Sequence, residues 1–406
     1  MTPGRPIRIL YCEQNMDGTI GGSYYSLLYL IRGLDRARYE PLVVFYTAHR
    51  LLDAFRDAGA ETIVWPRPRP FALDRRLPDR LQWLRWPVVV AGKALNLLRG
   101  LLIPALSRAW FLVAKRIDIV HLNSSITRNH DWMLAAMLAG RKCVTHERGI
   151  NQRYSAVSRY FGRRLDAVVC VSEAVRQNMR DRAGDWRNLL VIHNGLDPAA
   201  MRVRTSPLAL RQAYGIAPEA PVVVMVGNIK GWKGQDILVR AIAAVRRVCP
   251  RVRCVLVGDT SPLDQDYARA VSELVESLGL GDCITFAGSH EHVADFLAMS
   301  DIVVHASVLP EPFGRVVLEA MACRRPVIGS NSGGVPEIIE HGETGLLFPP
   351  GDVYRLADAL VRLITNEEEA RRMGEKGYDR LVSRFHIARN VEATERVYTS
   401  LCGAGD

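Results

Sequence analysis

The sequence predicts an α/β protein built from two doubly wound domains, and three observations carry that prediction. At 406 residues the chain is long enough for two separate cores. Short, continuous β-branched apolar runs alternate with helical patterns along nearly all of it. Finally, each half opens with the same strand–loop–helix unit. In the first half this is IRILYCE, a loop holding Gly18, Gly21 and Gly22, and the apolar helix YYSLLYLIRGL. In the second it is PVVVMVGNI from Pro221, the loop KGWKG and the helix QDILVRAIAAVRRV. The strands PLVVFY, DIVHLN, KCVTHE and AVVCVS follow in the first half, and RCVLVGD, CITFAG, DIVVHAS and RPVIGS in the second. Strands apolar on both faces belong to parallel sheets covered by helices on both sides. The spacing places a first domain at 1–197, a polar linker to about 217 within a second domain at 198–385, and a terminal helix at 386–406 expected to pack back on the first domain. Ligands of such sheets sit at the carboxyl ends of the strands, so the two domains are expected to face a central cleft.

Apolar content of 48% and charged content of 24% are those of an ordinary globular protein. The net charge of +10 is local: between residues 66 and 116 eleven Lys or Arg stand against Asp74 and Asp79, which leaves the remainder close to neutral. That argues against a general nucleic-acid binder and for one basic face. Eight cysteines without a C-x-x-C pair read as reduced thiols rather than disulfides or a metal site. The N-terminus MTPGRPIRILYCE passes straight into a strand, and the longest uncharged apolar run in the basic segment, Gly100 to Ser107, is too short to span a bilayer. A cytoplasmic chain that does not cross the membrane is therefore expected.

The stretch EPFGRVVLEA, residues 311–320, carries the chemistry. Pro312 and Gly314 read as the loop that starts a buried helix, VVLEAMA. Glu311 then precedes the helix and Glu319 lies on it, with the free backbone N–H groups of Phe313, Gly314, Arg315 and Val316 between them. A helix start binds anions through such groups, and carboxylates grip hydroxyls. A ligand with hydroxyls, then phosphates, then more hydroxyls fits, and a sugar nucleotide has that order. The loop GNIKGWKG sets Lys230 and Lys233 after a strand, where lysine neutralises a diphosphate more naturally than it serves a helix dipole. It is not a Walker loop. The Gly21-Gly22 pair reads equally as close backbone approach to a ligand or as a plain tight turn. His146 follows the strand KCVT, and His121 within DIVHLN reads as core or as support for a site. Asp264-Gln265-Asp266 has D-x-D spacing but opens a helix, where acidic residues cap. His290-Glu291-His292 lacks a third ligand nearby, and His146-Glu147 lacks the second histidine of H-E-x-x-H because position 150 is Ile.

E-P-F-G-x-x-x-x-E, G-x-x-K-G and G-G-V-P-E-I together resemble the retaining glycosyltransferases of family 4, with two Rossmann-like domains in the GT-B fold. The resemblance covers nearly the whole chain, including VSEAV and VIHNGLD. It implies that Glu311 holds donor-sugar hydroxyls, Glu319 binds the ribose, and Phe313 to Val316 cradle the diphosphate that Lys233 neutralises. It further implies that His146 touches the donor sugar and helps the acceptor approach. Gly22 would lie against the diphosphate or acceptor, and Gly333-Gly334 would line the far side of the donor pocket. Most members carry Arg where this chain has Asn228, and Lys230 is placed to supply that charge.

The expected reaction is transfer of a hexosyl or related sugar from a nucleotide-diphosphate-sugar, with retention by same-face attack and with no metal or cofactor. Residues 66–116 are the least family-like part and read as an insertion in the first domain. Trp83, Trp86, Trp110 and Phe111 among arginines suit docking on an anionic membrane surface. A helical cap with solvated arginines suits the segment equally, and Pro87, Gly92, Gly100 and Pro104 argue against one long straight helix. The docking reading makes the acceptor a polyprenyl-linked or other glycolipid, or a glycan, in polysaccharide assembly. The rival functions are a nucleotide-sugar epimerase of the same fold and a non-catalytic nucleotide-sugar binder or membrane scaffold.

Overall fold

The computed structural model of the chain describes residues 5–13, 20–66 and 85–403. Gly18, Trp83 and the arginines at 67, 69, 75, 76 and 80 lie outside the described residues. The chain divides into two compact units, one running to Val171 with Arg176–Ile192 and the residues from Val391 on, the other comprising Ser172–Val175 and His193–Asn390.

The first unit holds seven parallel strands: β1 (Ile7–Glu13), β2 (Tyr39–Phe45), β3 (Glu61–Val64), β4 (Ile119–Leu122), β5 (Lys142–Glu147), β6 (Ala167–Cys170) and β7 (Leu189–Val191). Their order is β3-β2-β1-β4-β5-β6-β7. The second unit holds β8 (Val222–Val226), β9 (Arg253–Val257), β10 (Ile284–Gly288), β11 (Ile302–His305), β12 (Val327–Ser330) and β13 (Leu346–Phe348), ordered β10-β9-β8-β11-β12-β13 and again parallel. Both sheets are doubly wound. Strand order reverses between β1 and β4 and between β8 and β11, and such switch points are where open α/β sheets seat ligands. The central strands are fully buried, which is why their sequences are apolar without alternation. Of the edge strands, β3, β7 and β13 have only three or four residues and escape a reading based on apolar runs, whereas β10 has five and is legible as CITFAG.

The boundary between units falls at His193 rather than at 197. His193 Nε2 bonds the Glu337 carboxylate at 2.7 Å, and that carboxylate also accepts from the backbone N–H of Glu173 and Ala174 at 2.8 Å each. Glu337 thus closes the N-terminus of the helix Glu173–Arg182 with a charged acceptor, which gives the motifs VSEAV, VIHNGLD and GGVPEI one shared structural task. From Val391 on, the terminal helix Ile387–Cys402 belongs to the first unit. There Glu395 accepts from the N–H of Asp35 at 2.9 Å, and the Thr399 and Tyr39 hydroxyls meet at 3.0 Å.

The segment 85–114 corrects one expectation. Helix Arg85–Leu97, a π-helical turn Leu98–Leu102 and helix Ile103–Ala114 follow one another without a break. Pro87 and Gly92 lie within the first stretch, and Pro104 stands at the start of the last, beside the π turn that contains Gly100. The stretch Leu95–Ala114 is long and apolar enough to cross a membrane by length and composition, contrary to the reading from its uncharged run. Nor are its cations all solvated. Arg108, 3% exposed, pairs with Asp131 at 3.1 Å and lies over the Trp65 and Trp132 rings at 5.3 and 5.0 Å. Lys115 pairs with Glu61 at 2.8 Å.

Candidate active site

In the second unit, three loops leave the carboxyl ends of β8, β11 and β12 and meet around one carboxylate. The chain after β8 makes a short 3-10 turn, Gly231–Lys233, and then starts the helix Gln235–Val248. Gly234 joins them at φ 78°, and a Cβ there would stand 2.2 Å from the Ala306 carbonyl oxygen. Only glycine permits that approach. The contact is continued by the Val308 N–H, which donates to the Trp232 carbonyl at 2.9 Å. The two loops are thereby fixed so that Lys233 Nζ lies 2.7 Å from Glu311 Oε2 and 4.3 Å from the Trp232 ring centroid.

The same Oε2 accepts from His305 Nε2 at 2.8 Å and from Ser307 Oγ at 2.9 Å. All three bonds reach one oxygen, and among the described residues Oε1 takes none. Burial of the Glu311 carboxyl opposes its charge, but the His305 imidazole and the Lys233 ammonium outweigh that and hold it well below the ordinary carboxylate range. Glu311 is therefore an anion with one free oxygen. An ionised carboxylate with an open oxygen is a good acceptor from hydroxyls. His305 and Ser307 were not found from the sequence. The only hint was a polar end to the strand DIVVHAS.

Glu311 is followed by the helix Arg315–Ala322, whose Val317, Leu318 and Met321 are buried. Each is worth roughly 1.5–3 kcal/mol of transfer free energy, enough to anchor so short a helix. Gly314 caps it at φ 97°, and among the described residues no hydrogen bond is donated by the backbone N–H groups of Phe313, Gly314 or Val316. Arg315 and Glu319, one turn apart, pair with each other at 3.1 Å. The Gly333-Gly334 loop lies against the backbone of Glu311 to Phe313. At Gly333, φ 62°, a Cβ would come within 2.1 Å of the Glu311 carbonyl oxygen, which the Gly334 N–H bonds at 2.9 Å. These glycines hold Glu311 in place from behind.

Two predicted donor-binding residues stand differently. Asn228 is exposed, and its backbone carbonyl accepts from the buried Gln235 amide at 3.1 Å. Lys230 turns to Asp264 at 3.8 Å and is not paired with Glu311. Asp264 does precede the helix Gln265–Ser277, but its side chain makes no capping bond. Instead it takes the Ser261 hydroxyl and faces Lys230, while Asp266 pairs with Arg269 at 3.6 Å. Each carboxylate of the D-x-D thus has a cation of its own. His290 is bonded to the Ala287 carbonyl at 2.9 Å.

In the first unit, polar side chains gather at the ends of β1, β4 and β5. Glu13 takes Ser23 Oγ at 3.0 Å and the Asn123 amide, and Asn123 Oδ1 accepts from Arg148 Nε and Nη2 at 3.0 and 2.7 Å. Burial pushes Glu13 up to about 7, as it does Glu147, which accepts from Ser125 Oγ, Ile126 N and Asn151 Nδ2. His146 is buried, with Nδ1 2.6 Å from His121 Nε2. Burial, then the charge of Arg148, hold its imidazole well below the usual range, so it is neutral. Gly22 begins the helix Gly22–Gly33, and a side chain at Gly21, whose φ is −103°, would enter open space.

Comparison with known proteins follows the same division. The model described as Glycosyltransferase Family 4 matches residues 20–200, and that described as Glycosyl transferases group 1 matches residues 208–380. The chain is 29% identical over 297 residues to the N-acetyl-alpha-D-glucosaminyl L-malate synthase of Bacillus anthracis, covering 70% of this chain and 76% of that one. It is 33% identical over 260 residues to the GDP-mannose-dependent alpha-(1-6)-phosphatidylinositol monomannoside mannosyltransferase of Mycobacterium tuberculosis, covering 60% and 66%. Among solved structures, HepE of Anabaena in complex with UDP superposes with a TM-score of 0.78 at 25% identity, over 97% of this chain and all of that one. With both sheets, both family models and these relatives in agreement, the chain belongs to the family 4 glycosyltransferases, with the GT-B fold.

Proposed function

We propose that the protein transfers a hexose or related sugar from a nucleotide-diphosphate-sugar to a glycan or lipid-linked acceptor, with retention at the anomeric carbon. The observation that carries this reading is the Glu311 cluster at the β8/β11 switch point: a permanently charged carboxylate with one free oxygen, clamped to Lys233, beside a helix start with unused N–H groups. The carboxylate takes donor-sugar hydroxyls. The N–H groups of Phe313, Gly314 and Val316 and the ammonium of Lys233 take the diphosphate and stabilise it as it leaves. Glu319, paired with Arg315 one turn before it, takes the ribose hydroxyls. Within the first unit His146 offers the acceptor a neutral imidazole, and the backbone at Gly22 offers it close approach. With Oε2 of Glu311 held by three donors and Oε1 taking sugar hydroxyls, retention is assigned to same-face attack, with the departing phosphate taking the acceptor proton. Lys233 and the N–H groups supply the positive charge a metal would otherwise bring, and the D-x-D carboxylates are already paired with cations.

The relatives divide on the donor, GDP-mannose in the name of one and UDP bound in another, so both are the first probes. The test is transfer from each to phosphatidylinositol and to short glycans in EDTA, with the anomeric configuration of product read by NMR. A product with retained configuration supports the assignment, and an inverted one overturns it.

The acceptor is assigned to a membrane surface on the cytoplasmic side. Trp86, Val90, Leu97, Leu102, Leu106 and Trp110 are exposed along 85–114, while Ala105, Arg108 and Leu112 face inward. A helix packed along one side and apolar on the other suits lying in an interface rather than spanning it.

A further inference from the structure

Behind His146 a line of polar groups runs into the core of the first unit and ends on the C-terminal helix. The Tyr11 hydroxyl lies 3.0 Å from that of Tyr398. Tyr398 Oη in turn bonds His121 Nδ1, and His121 Nε2 lies 2.6 Å from His146 Nδ1. The two imidazoles are near parallel, at 11°, and the nitrogens approach so closely that the rings meet edge to edge. Tyr11, Tyr398 and His121 are each 0% exposed, and His146 is 1% exposed. The last atom of the line, His146 Nε2, is buried without a partner. An unpartnered buried polar atom at a candidate site asks for a ligand group.

Hydrogens can be placed on this line in two ways, because every bond needs one donor. In one direction Tyr11 donates to Tyr398, Tyr398 to His121 Nδ1, and His121 Nε2–H to His146 Nδ1, which leaves the hydrogen of His146 on Nε2. In the other direction every bond reverses. His146 Nε2 is then a bare lone pair, and the Tyr11 O–H has no acceptor, since Tyr398 is its one hydrogen-bond partner among the described residues. The reversed arrangement therefore strands two buried groups, the Tyr11 phenol donor and the His146 Nε2 lone pair, where the first leaves only the His146 Nε2–H, which a ligand oxygen can take. A phenol is also a better donor to imidazole than imidazole is to phenol, by their acidities.

We infer that Tyr398, acting through His121, is a positioning residue for His146: it fixes that imidazole as the Nε2–H tautomer, a neutral hydrogen-bond donor aimed at a hydroxyl oxygen of the sugar donor or acceptor. Its role in catalysis rests on the transferase reading, but the tautomer does not. Burial holds His121 down to about 3 and keeps the Tyr398 phenol protonated, so the line is made of uncharged groups. His146 in this state cannot accept a proton at Nε2, and it serves as a ligand-orienting donor instead of a general base.

The test is 15N spectroscopy of the full chain labelled at histidine, with His121 and His146 assigned through His121→Gln and His146→Gln. The wild type is expected to show Nε2 of His146 protonated and Nδ1 bare. Tyr398→Phe is expected to lose that fixed state and give a mixed tautomer, whereas Tyr11→Phe leaves it unchanged because Tyr398 still donates. Nδ1–H on His146 in the wild type overturns the inference without any variant, as does an unaltered tautomer in folded Tyr398→Phe. With UDP-glucose and GDP-mannose as probes, Tyr398→Phe is expected to lower kcat/KM about 3–10-fold, and to have no further effect in the His146→Gln background. If His146→Gln itself leaves kcat/KM unchanged while the tautomer is as expected, the role of His146 in transfer fails and the relay stands.

Discussion

At the scale of single residues, Glu311 and Lys233 are tied in one pair but should fail differently. Lys233→Ala is expected to lower kcat by about 10²–10³, the usual cost of losing one group that stabilises a developing anion, with KM moving less. Steady-state kinetics separates this from loss of fold. Glu311→Gln removes a carboxylate whose folded pKa lies below its unfolded value. Such a group stabilises the protein above the ordinary value of 4.5, and the contribution is lost as pH falls through the folded pKa. Denaturant unfolding should show the gap between wild type and Glu311→Gln level above about pH 5.5 and narrowing toward pH 3. A gap that widens with acid contradicts the assignment. Glu311 and Lys233 were legible in the sequence because each sits in a loop with a marked pattern. His305 and Ser307 were not, because their importance comes from converging on Oε2, and sequence carries no sign of convergence.

Elements show where local pattern sufficed and where it failed. The central strands and the helix after Gly314 follow from apolar runs and turn residues. The edge strands β3, β7 and β13 are too short for that, and the helical run 85–114 holds residues that ordinarily stop helices. A π turn takes in Gly100 just before Pro104, and packing holds the last stretch in place, with Arg108 between Trp65 and Trp132 and paired to Asp131. The glycine loops give a contrast that can be measured. Gly333→Ala puts a methyl group into the Glu311 backbone at positive φ and should lower Tm and abolish donor binding together. Gly21→Ala meets open space and ordinary backbone, so Tm should stay and only ligand affinity should drop. For the exposed stripe, replacing Trp86, Leu106 and Trp110 by Ser should reduce co-sedimentation with phosphatidylglycerol vesicles at least several-fold and leave soluble-donor binding intact. Equal sedimentation sinks the membrane assignment.

For the whole molecule, the sequence showed two domains because each unit repeats one architecture. The exchange of short segments between the units was hidden in it. Ser172–Val175 belongs to the second unit through Glu337 and Ser172, whose hydroxyl donates to the Pro312 carbonyl at 2.6 Å. The last residues belong to the first unit through Tyr398 and Thr399. Pairings across such sequence distances have no local signature. They predict that truncation after Asn390 should strip hydrogen-exchange protection from β1 and β2 while β8 and β11 keep theirs. Equal loss in both sheets argues against this division.

At the centre of the proposed function is a nucleotide-sugar seat built around Glu311 and Lys233. Calorimetric titration of UDP-, GDP- and ADP-sugars into wild type and Lys233→Ala, in EDTA, tests it most directly. One nucleotide class should bind the wild type without metal and bind Lys233→Ala at least about tenfold more weakly, a loss of about 1.4 kcal/mol. Failure of every nucleotide sugar to bind folded wild type, or equal affinity in the variant, would contradict it.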